Sequence, residues 1–237
     1  MTTITAQVKK LHDVGAHVGL PRTRRHPTAA PFVFTTKNRV DILDLEETEK
    51  RLALALEFVR DLAQAGKSLL VVGGKHEAVK LVRDSAHGAG LPHVAGRWIG
   101  GTLTNFKNIR KRVERLEKLQ KDRASGELAK YTKRERLMID REIEELEGRF
   151  GGIVSLKDIP GAMFVVDSRH EAIAVREANQ LGVPVIALSS TDCDFSQVQF
   201  PIPGNDTSVK SIRAIVADVV DSYQEGKKVV AKAAVRA

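Results

Sequence analysis

The sequence predicts an α/β protein in which a parallel sheet carries helices on both faces and an antiparallel helical hairpin is inserted. Short continuous apolar runs, typical of strands buried on both faces, occur at residues 68–72, 162–166 and 185–188. Segments with the apolar spacing of helices alternate with these runs, and such alternation indicates a parallel sheet. The segment 104–148 interrupts this alternation, and it is longer than an ordinary connection between a strand and a helix.

Composition favours an anionic partner. The chain has 237 residues, 42% of them hydrophobic and only 5% aromatic, and its net charge is +8. This length suits one domain with an insertion, and the charge favours nucleic acid or an acidic membrane surface. A basic enzyme without a polyanion partner fits the charge equally well. The membrane alternative is disfavoured because the apolar seam of the hairpin is narrow and heavily charged on both sides.

The cellular compartment is predicted from a few local features. Cys193 is the only cysteine, which excludes an intrachain disulfide and fits a reducing compartment. Apolar runs stay well below the ~20 residues that cross a bilayer. Residues 1–10 lack the apolar region of a secretion signal. We therefore expect a soluble, cytoplasmic protein.

The N-terminal region is predicted to be a short helix followed by a basic loop. Apolar spacing indicates a helix over residues 3–14. In residues 15–31 glycines and prolines indicate irregular structure, while Arg22, Arg24 and Arg25 cluster positive charge. Such a loop is often merely solvated, but beside another basic element contact with phosphate becomes the favoured interpretation.

A β-hairpin and a long helix are predicted next. Apolar residues 32–34 and 40–43 flank a turn that suits Asn38. Asp44 can cap a helix whose apolar face continues to Gly66.

Two segments have residue types that could support chemistry. Gly73-Gly74-Lys75 joins a strand to a helix and could hold phosphate, but it matches neither common phosphate motif and is more typical of a tight turn. Four aspartates follow strand ends or adjoin turns, where they could bind a divalent cation or cap helices: Asp167, Asp192, Asp194 and Asp206. Capping is the favoured interpretation. A nucleotide-binding domain or enzyme remains the alternative hypothesis.

The histidines give no metal motif. Neither H-x-x-x-H nor H-E-x-x-H is present, and Cys193 is remote in sequence from His12 and His17. A structural metal near that pair is left open.

The inserted hairpin is predicted from two apolar seams. The first comprises Phe106, Ile109, Val113, Leu116 and the polar Gln120, and the second comprises Ile139, Ile143, Leu146 and Phe150. The first helix carries surplus cations, whereas the second ends in EIEELE. The pattern predicts an antiparallel coiled coil that orders cations on the first helix. A solvated coiled coil would explain the seam but not the basic surplus.

The last part of the chain is predicted to complete the sheet. Residues 168–171 are interpreted as a capping box, residues 200–202 as an edge strand, and Thr207 or Ser208 as a helix cap. The predicted division is an α/β domain over 1–103 and 149–225, the hairpin over 104–148 and a flexible basic tail over 226–237.

The stretch Arg97–Phe106, RWIGGTLTNF, resembles the RW-[LI]-GG-x-LTN-[WF] signature of the bacterial small-subunit ribosomal protein S2 family. Further matches in the same order lie at residues 15–19, 38–45, 151–153, 171–178, 181–185 and 202–206. They cover almost the whole chain.

The resemblance implies a flavodoxin-like, Rossmann-like α/β domain with a protruding helical hairpin, and a non-catalytic protein. We expect no cofactor, and no residue is assigned as a metal ligand. The resemblance also implies binding to 16S ribosomal RNA, support of subunit assembly, and contact with neighbouring ribosomal proteins. Among these is ribosomal protein S1, whose recruitment supports translation initiation. The RNA-facing candidates carried over by motif are Arg97, Trp98, Thr104, Asn105, Lys107, Asn108, Arg110, Lys111 and Arg112. For Trp98 and Phe106, packing at the hairpin base is the alternative to stacking on bases, and for Phe106, which belongs to the seam, packing is favoured.

The chain departs from the family pattern at three places. The family usually has His at Leu20, Asn-Pro-Lys-Met at residues 26–29 and Asp-Thr-Asn at residues 190–192. The first two weaken transfer of contacts or metal ligands in the N-terminal loop, and the third weakens a shared role for that turn.

Overall fold

The computed structural model describes residues 5–236. The helices are α1 (Ala6–Asp13), α2 (Leu45–Gln64), α3 (His76–Gly88), α4 (Phe106–Ala124), α5 (Lys133–Phe150), α6 (Ala172–Gln180) and α7 (Val209–Arg236). The strands are β1 (Val18–Pro21), β2 (Val33–Lys37), β3 (Val40–Leu43), β4 (Leu69–Val72), β5 (His93–Val94), β6 (Ala162–Val166), β7 (Val185–Ser189) and β8 (Phe200–Pro203). Within the described residues, no helix combines the length and apolarity needed to span a membrane.

The central sheet has five parallel strands in the order β5-β4-β6-β7-β8. Numbered from its own first strand, this order is 2-1-3-4-5, the flavodoxin-like arrangement. The predicted α/β class is confirmed, as is the edge position of β8, whose prolines suit an edge. The opposite edge strand, β5, was not predicted because it is only two residues long.

The sheet separates two apolar cores. Leu69 and Val71 face the core shared with α1, α2, α3 and α7, whereas Leu70 and Val72 face the core shared with α4, α5 and α6. Because successive strand residues point to opposite faces, covering both faces requires continuous apolar strands. This is the physical reason for the uninterrupted runs in the sequence.

The N-terminal loop is more regular than predicted. Its residues form β1, which pairs antiparallel with β3 in a second sheet of order β1-β3-β2, and short 3₁₀ helices at Arg22–Arg24 and Pro27–Phe32. Gly19 lies so close to the neighbouring strand β3 that a Cβ would be 3.0 Å from the carbonyl oxygen of Asp41. The glycine that indicated irregular structure therefore permits strand pairing. The predicted turn is confirmed, with Asn38 at φ 51°.

The two inserted helices pack through the predicted seams. Ile109, Val113 and Leu116 of α4 are buried in the same core as residues of α5: Ile143, Leu146 and Phe150. At the far end the prediction was wrong by one residue, since Leu119 is buried and Gln120 is only half-buried. The coiled-coil geometry and the domain boundaries stay predictions.

The predicted capping box before α6 is wrong. The backbone N–H groups of Arg169 and His170 donate to Asp167 Oδ1 at 3.1 and 2.9 Å. The carboxylate of Glu171 instead accepts a hydrogen bond from the Gly74 N–H at 2.8 Å. Glu171 thus joins two loops at the end of the sheet and does not cap its own helix.

The last helix extends beyond its predicted end. α7 continues through Gly226 to Arg236, and residue 237 of the predicted tail lies outside the described part. Gly226 packs against α2, where a Cβ would lie 2.5 Å from the carbonyl oxygen of Arg60. Gly226 therefore allows α7 to pack closely against α2, whereas the sequence predicted a helix end there. The predicted Ser208 cap is confirmed by a 3.5 Å hydrogen bond from the Ser211 N–H.

Candidate nucleic-acid interface

The loop between β5 and α4 is organised around one carboxylate, Glu177 of α6. Glu177 Oε1 accepts hydrogen bonds from the Gly101 N–H at 2.7 Å and from the Trp98 indole N–H at 3.2 Å. Glu177 Oε2 accepts from the Leu103 N–H at 3.0 Å and from the N–H and hydroxyl of Thr104 at 3.1 and 3.2 Å. The backbone of the signature stretch therefore wraps around an anion supplied by the protein itself. We call residues 97–105 the junction loop.

These contacts keep Glu177 ionised although it is buried. Burial alone would raise the pKa of its carboxyl, but hydrogen bonds from Gly101, Thr104 and Leu103, with that from Trp98, outweigh burial and lower the pKa. Gly101 has φ +89°, a conformation that L side chains rarely adopt. The glycine is thus required for the turn that aims its N–H at the carboxylate.

The junction loop uses its aromatic residues for packing. Trp98 is only 6% exposed, and its indole N–H is already engaged by Glu177. Phe106 is half-buried and packs against the core beneath α4 and α5. The geometry favours the packing interpretation over stacking on RNA bases for both residues.

The first two turns of α4 present cations to solvent. Lys107, Lys111 and Arg112 are exposed, and across residues 5–236 none of them takes part in an ion pair. Lys107 and Lys111 are four residues apart and lie one above the other on the helix. No acidic residue of α4 itself occupies its first turn. We call these three residues the α4 cationic face.

Polar groups adjoin the α4 cationic face. Asn105 and Asn108 are exposed, and the Asn108 side-chain N–H donates to Asn105 Oδ1 at 2.9 Å. The Thr104 residue is exposed although its hydroxyl contacts Glu177. Arg97 is exposed at the start of the junction loop. The structure thus brings together most of the motif-derived candidates around the N-terminus of α4.

Arg110 differs from its neighbours because its guanidinium is engaged. It donates to the Val154 carbonyl oxygen at 3.0 Å and to Glu117 at 3.2 Å, and Glu114 lies 3.7 Å away. Arg110 therefore ties α4 to the segment that follows α5. Its contact with RNA stays a prediction.

The three arginines of the N-terminal region lie elsewhere and differ among themselves. Arg25 Nε donates to the buried Asp41 at 2.6 Å, and this hydrogen bond is the largest cause that lowers the pKa of the Asp41 carboxyl. Arg22 and Arg24 are exposed. Arg24 and Arg25 line a cavity of about 400 Å³ with Arg169 and Asp192, and its lining contains no residue of α4.

A groove of about 950 Å³ runs beside the α4 cationic face. Lys157 lines it together with Lys107 and Lys111, and its apolar wall includes Ile159 and Leu181, which are 47% and 40% exposed. Sequence reasoning missed Lys157, Ile159 and Leu181. No periodic signal could have found them, because they lie in loops that only tertiary packing places beside α4.

The carboxyl ends of the parallel strands, where this fold commonly binds ligands, are filled by the protein's own side chains. Lys75 Nζ lies 3.1 Å from Asp167 and 3.2 Å from Asp206. Burial lowers the pKa of Lys75, but the charges of Asp206 and Asp167 outweigh burial and raise it. The predicted alternative of a nucleotide site at Gly73-Gly74-Lys75 therefore meets a lysine and a backbone N–H that already have partners.

The buried groups near Lys75 also bear on metal binding. Single ligand atoms of Asp167, Cys193 and Asp206 lie within 4.8 Å of one another. Burial raises the pKa of the Cys193 thiol to about 12, so the thiolate that a metal needs is disfavoured. The Lys75 ammonium already lies against both carboxylates, where a metal cation would otherwise balance their charge.

His12 and His17 stack at a ring-centroid distance of 4.6 Å. Burial, followed by the nearby His12, lowers the pKa of His17. Neither histidine belongs to a metal-like cluster in the part of the chain that the structure covers.

Comparison with known proteins agrees with the motif. A family model described as Ribosomal protein S2 matches residues 11–226. A Small ribosomal subunit protein uS2 of Roseiflexus sp. (strain RS-1) is 42% identical over 220 residues, covering 93% of this chain and 84% of the relative. Its counterpart in Roseiflexus castenholzii (strain DSM 13941 / HLO8) is 41% identical with the same coverage. The chain therefore belongs to the ribosomal protein S2 family, whose members are structural, non-enzymatic components of the small subunit of the cytoplasmic ribosome.

Proposed function

We propose that the chain binds 16S ribosomal RNA through the α4 cationic face and the exposed polar groups of the junction loop. The observation that carries the proposal is the contrast within one short helix segment. Arg110 is engaged by protein groups, whereas Lys107, Lys111 and Arg112 project from the same anchored helix end without partners in the described chain. Unpaired cations on a rigid support suit contacts with phosphates, which fix the position of a protein on RNA.

The anchoring of the junction loop supports this proposal energetically. Lysine side chains lose rotamer freedom when they bind, so a support that is already ordered limits the further loss on binding. Glu177 provides that order by holding Trp98, Gly101 and Leu103 at the foot of α4. The junction loop is thus a rigid base for the contacts and not itself the stacking surface.

Arg97 extends the proposed interface, and the N-terminal arginines form a second, weaker part of it. Arg22 and Arg24 are exposed and can meet phosphate directly. Arg25 contributes indirectly, because its guanidinium is bound to the buried Asp41 of β3. Trp98 and Arg110 act in the same indirect way at the hairpin base.

Subunit assembly, recruitment of ribosomal protein S1 and support of initiation are included in the proposal on the strength of the family resemblance. The groove beside α4 supplies physical support for a protein neighbour. Ile159 and Leu181 expose apolar surface next to Lys107 and Lys157, and interfaces between proteins combine apolar anchors with a charged rim. Retention of S1 on subunits that carry Ile159→Ser should fall if this groove receives a protein.

The proposed RNA contact is tested by replacing Lys107, Lys111 and Arg112 with Gln. Arg110 is kept, because its loss would disturb the hairpin base. Binding of the full chain to 16S ribosomal RNA is measured over a range of KCl concentrations. We expect weaker binding, and a log–log salt slope that is smaller by ~0.7–0.9 for each phosphate that the variant no longer neutralises.

The control replaces Lys210 and Arg213 of α7, which are exposed on the helix that covers the other face of the sheet. Its slope should match the wild type. An unchanged slope and affinity in the triple variant, with an intact thermal unfolding profile, would contradict the proposal.

A further inference from the structure

A cavity with surplus positive charge lies at the hairpin base and shares no lining residue with the groove beside α4. It has a volume of about 470 Å³ and lies between the end of α3, the start of the junction loop and the end of α5. Its charged and titratable lining residues are Arg83, His87, His93, Arg97, Glu147 and Arg149. We call it the arginine cleft.

The charge of the arginine cleft is unbalanced. Three arginines face one glutamate in its lining. Arg83 and Arg97 have no ion-pair partner between residues 5 and 236, and Arg149 pairs with Glu145 at 2.9 Å. Both side chains of that pair are more than half exposed, so water and salt screen it strongly and an anion can compete for Arg149.

The pKa of His93 is affected by the same positive charge. Burial is the main cause that lowers the pKa of His93, and the charges of His87 and Arg83 lower it further. The charge of Arg83 therefore reaches His93 inside the cleft. His93 also packs tightly at the cleft floor, because a Cβ on Gly152 would lie 2.2 Å from its carbonyl oxygen.

The shape of the cleft suits a polymer more than a small anion. Gly96, Gly148 and Gly151 line it without side chains, and a Cβ at Gly96 or Gly148 would meet no atom within 4 Å. The lining is therefore free of side chains at these positions, which leaves room for a ligand to approach the backbone. The arginines come from three different elements, so their charge is spread over the lining and can meet several phosphates of a polymer.

Arg97 connects the cleft to the interface already described. It lines the arginine cleft and begins the junction loop, which leads directly into the α4 cationic face. A chain of phosphates can contact both surfaces, whereas an isolated anion would contact only one. We propose that the arginine cleft is a second binding site for the phosphate backbone of ribosomal RNA, separate from the groove beside α4. The inference rests on the proposed RNA-binding function.

The test replaces Arg83 and Arg149 with Gln in the full chain. Glutamine removes charge without adding repulsion, so the decrease in salt slope measures how many phosphates these two arginines neutralise. For two phosphates we expect the slope for 16S ribosomal RNA to fall by roughly 1.4–1.8. The charge-matched control, Lys210→Gln with Arg213→Gln, should leave it unchanged. Thermal unfolding verifies that each variant is folded.

Two results separate this inference from the function on which it rests. If the α4 triple variant shows a smaller slope while the cleft variant equals the control, the arginine cleft does not bind RNA and the proposed function stands. If wild-type protein shows no salt-dependent binding, the proposed function itself fails. Should the cleft variant bind RNA normally but fail to retain a neighbouring protein on small subunits, the occupant is an acidic protein segment and the inference is overturned.

Discussion

Two buried carboxylates, Glu177 beneath the junction loop and Asp206 at the carboxyl ends of the strands, differ in how their negative charge is stabilised. Glu177 accepts five hydrogen bonds from the junction loop and remains ionised. Asp206 has one lysine donor, Lys75, and one buried oxygen, Oδ2, without a partner among the described residues. Burial, followed by the charge of Asp167, raises the pKa of Asp206 to about 7.

The comparison shows that a buried acid stays ionised where several donors surround it, and that its pKa rises where donors are few and another carboxylate is near. A carboxylate that accepts several backbone N–H groups gains more than burial costs, whereas one with a single cationic partner does not. The first arrangement makes a rigid base for the hairpin. The second fills the end of the sheet and takes the place where a ligand would bind in other proteins of this fold.

The largest expected effect concerns the anchor. Glu177→Ala should lower the free energy of unfolding by about 3–4 kcal/mol, since the N–H groups of Gly101 and Leu103 lose a charged acceptor in a buried place. Urea denaturation measures the change. Glu142→Ala, which removes an acid from an exposed pair with Arg115, is the control and should cost well under 1 kcal/mol. Equal losses of unfolding free energy for the two substitutions would show that Glu177 does not anchor the junction loop.

Lys75→Met tests the other carboxylate. It should lower the free energy of unfolding by about 2 kcal/mol at pH 8, because Asp167 and Asp206 then lose their cation. The loss should shrink at pH 6, where protonation can neutralise Asp206. Denaturation at both pH values checks the difference. A loss that does not depend on pH would show that Lys75 stabilises by packing alone.

The two acids should also give opposite pH dependences of stability. The folded pKa of Glu177 is below its ordinary 4.5, so its contribution is present above pH 4.5 and is lost as the pH falls further. The folded pKa of Asp206 is above its ordinary 3.8, so its contribution is present below pH 3.8 and is lost as the pH rises from there to about 7.

In a plot of unfolding free energy against pH, each sloping region, or limb, can reach a slope of ~1.4 kcal/mol per pH unit for a single group. Thermal unfolding between pH 3 and pH 8 should show Glu177→Gln flattening the acidic limb and Asp206→Asn flattening the limb between pH 4 and pH 7. If both variants alter the same limb, the two environments do not differ as described.

The smallest effect is expected on the exposed surface of the hairpin. Arg115 Nε lies 3.1 Å from Glu142 Oε1, with both side chains more than 40% exposed. Solvent and salt screen such a pair, so Arg115→Ala should change the free energy of unfolding by less than ~1 kcal/mol, and less still in high salt. A loss comparable to that of Glu177→Ala would show that surface pairs, not the junction loop, hold the hairpin.

Local patterns predicted the parts of the fold that depend on local physics. The buried strands β4, β6 and β7 were found because both faces are covered, and the residues through which α4 and α5 pack were found because they repeat every three to four residues. β1 and β5 were missed, since one contains Gly19 and Pro21 and the other has two residues. Their pairing depends on neighbours far along the chain.

The candidate site was predictable in outline only. The motif located the junction loop and α4, but the anchor Glu177 lies more than 70 residues away from the loop it holds. The sequence likewise could not separate Arg110 from Lys111, which follows it directly. The contacts of Arg110 with the Val154 carbonyl oxygen, Glu114 and Glu117 distinguish this engaged cation from its neighbour, which is unpaired within the described chain.

The central claim is that the α4 cationic face, held by Glu177, attaches this protein to the small subunit. Competition tests it most directly. Wild-type protein and the Lys107→Gln, Lys111→Gln, Arg112→Gln variant are mixed in equal amounts with small subunits depleted of the protein, and the sedimented subunits are washed with increasing salt. We predict that wild type is retained in growing excess as salt rises. Equal retention of the two proteins at every salt concentration would contradict the account.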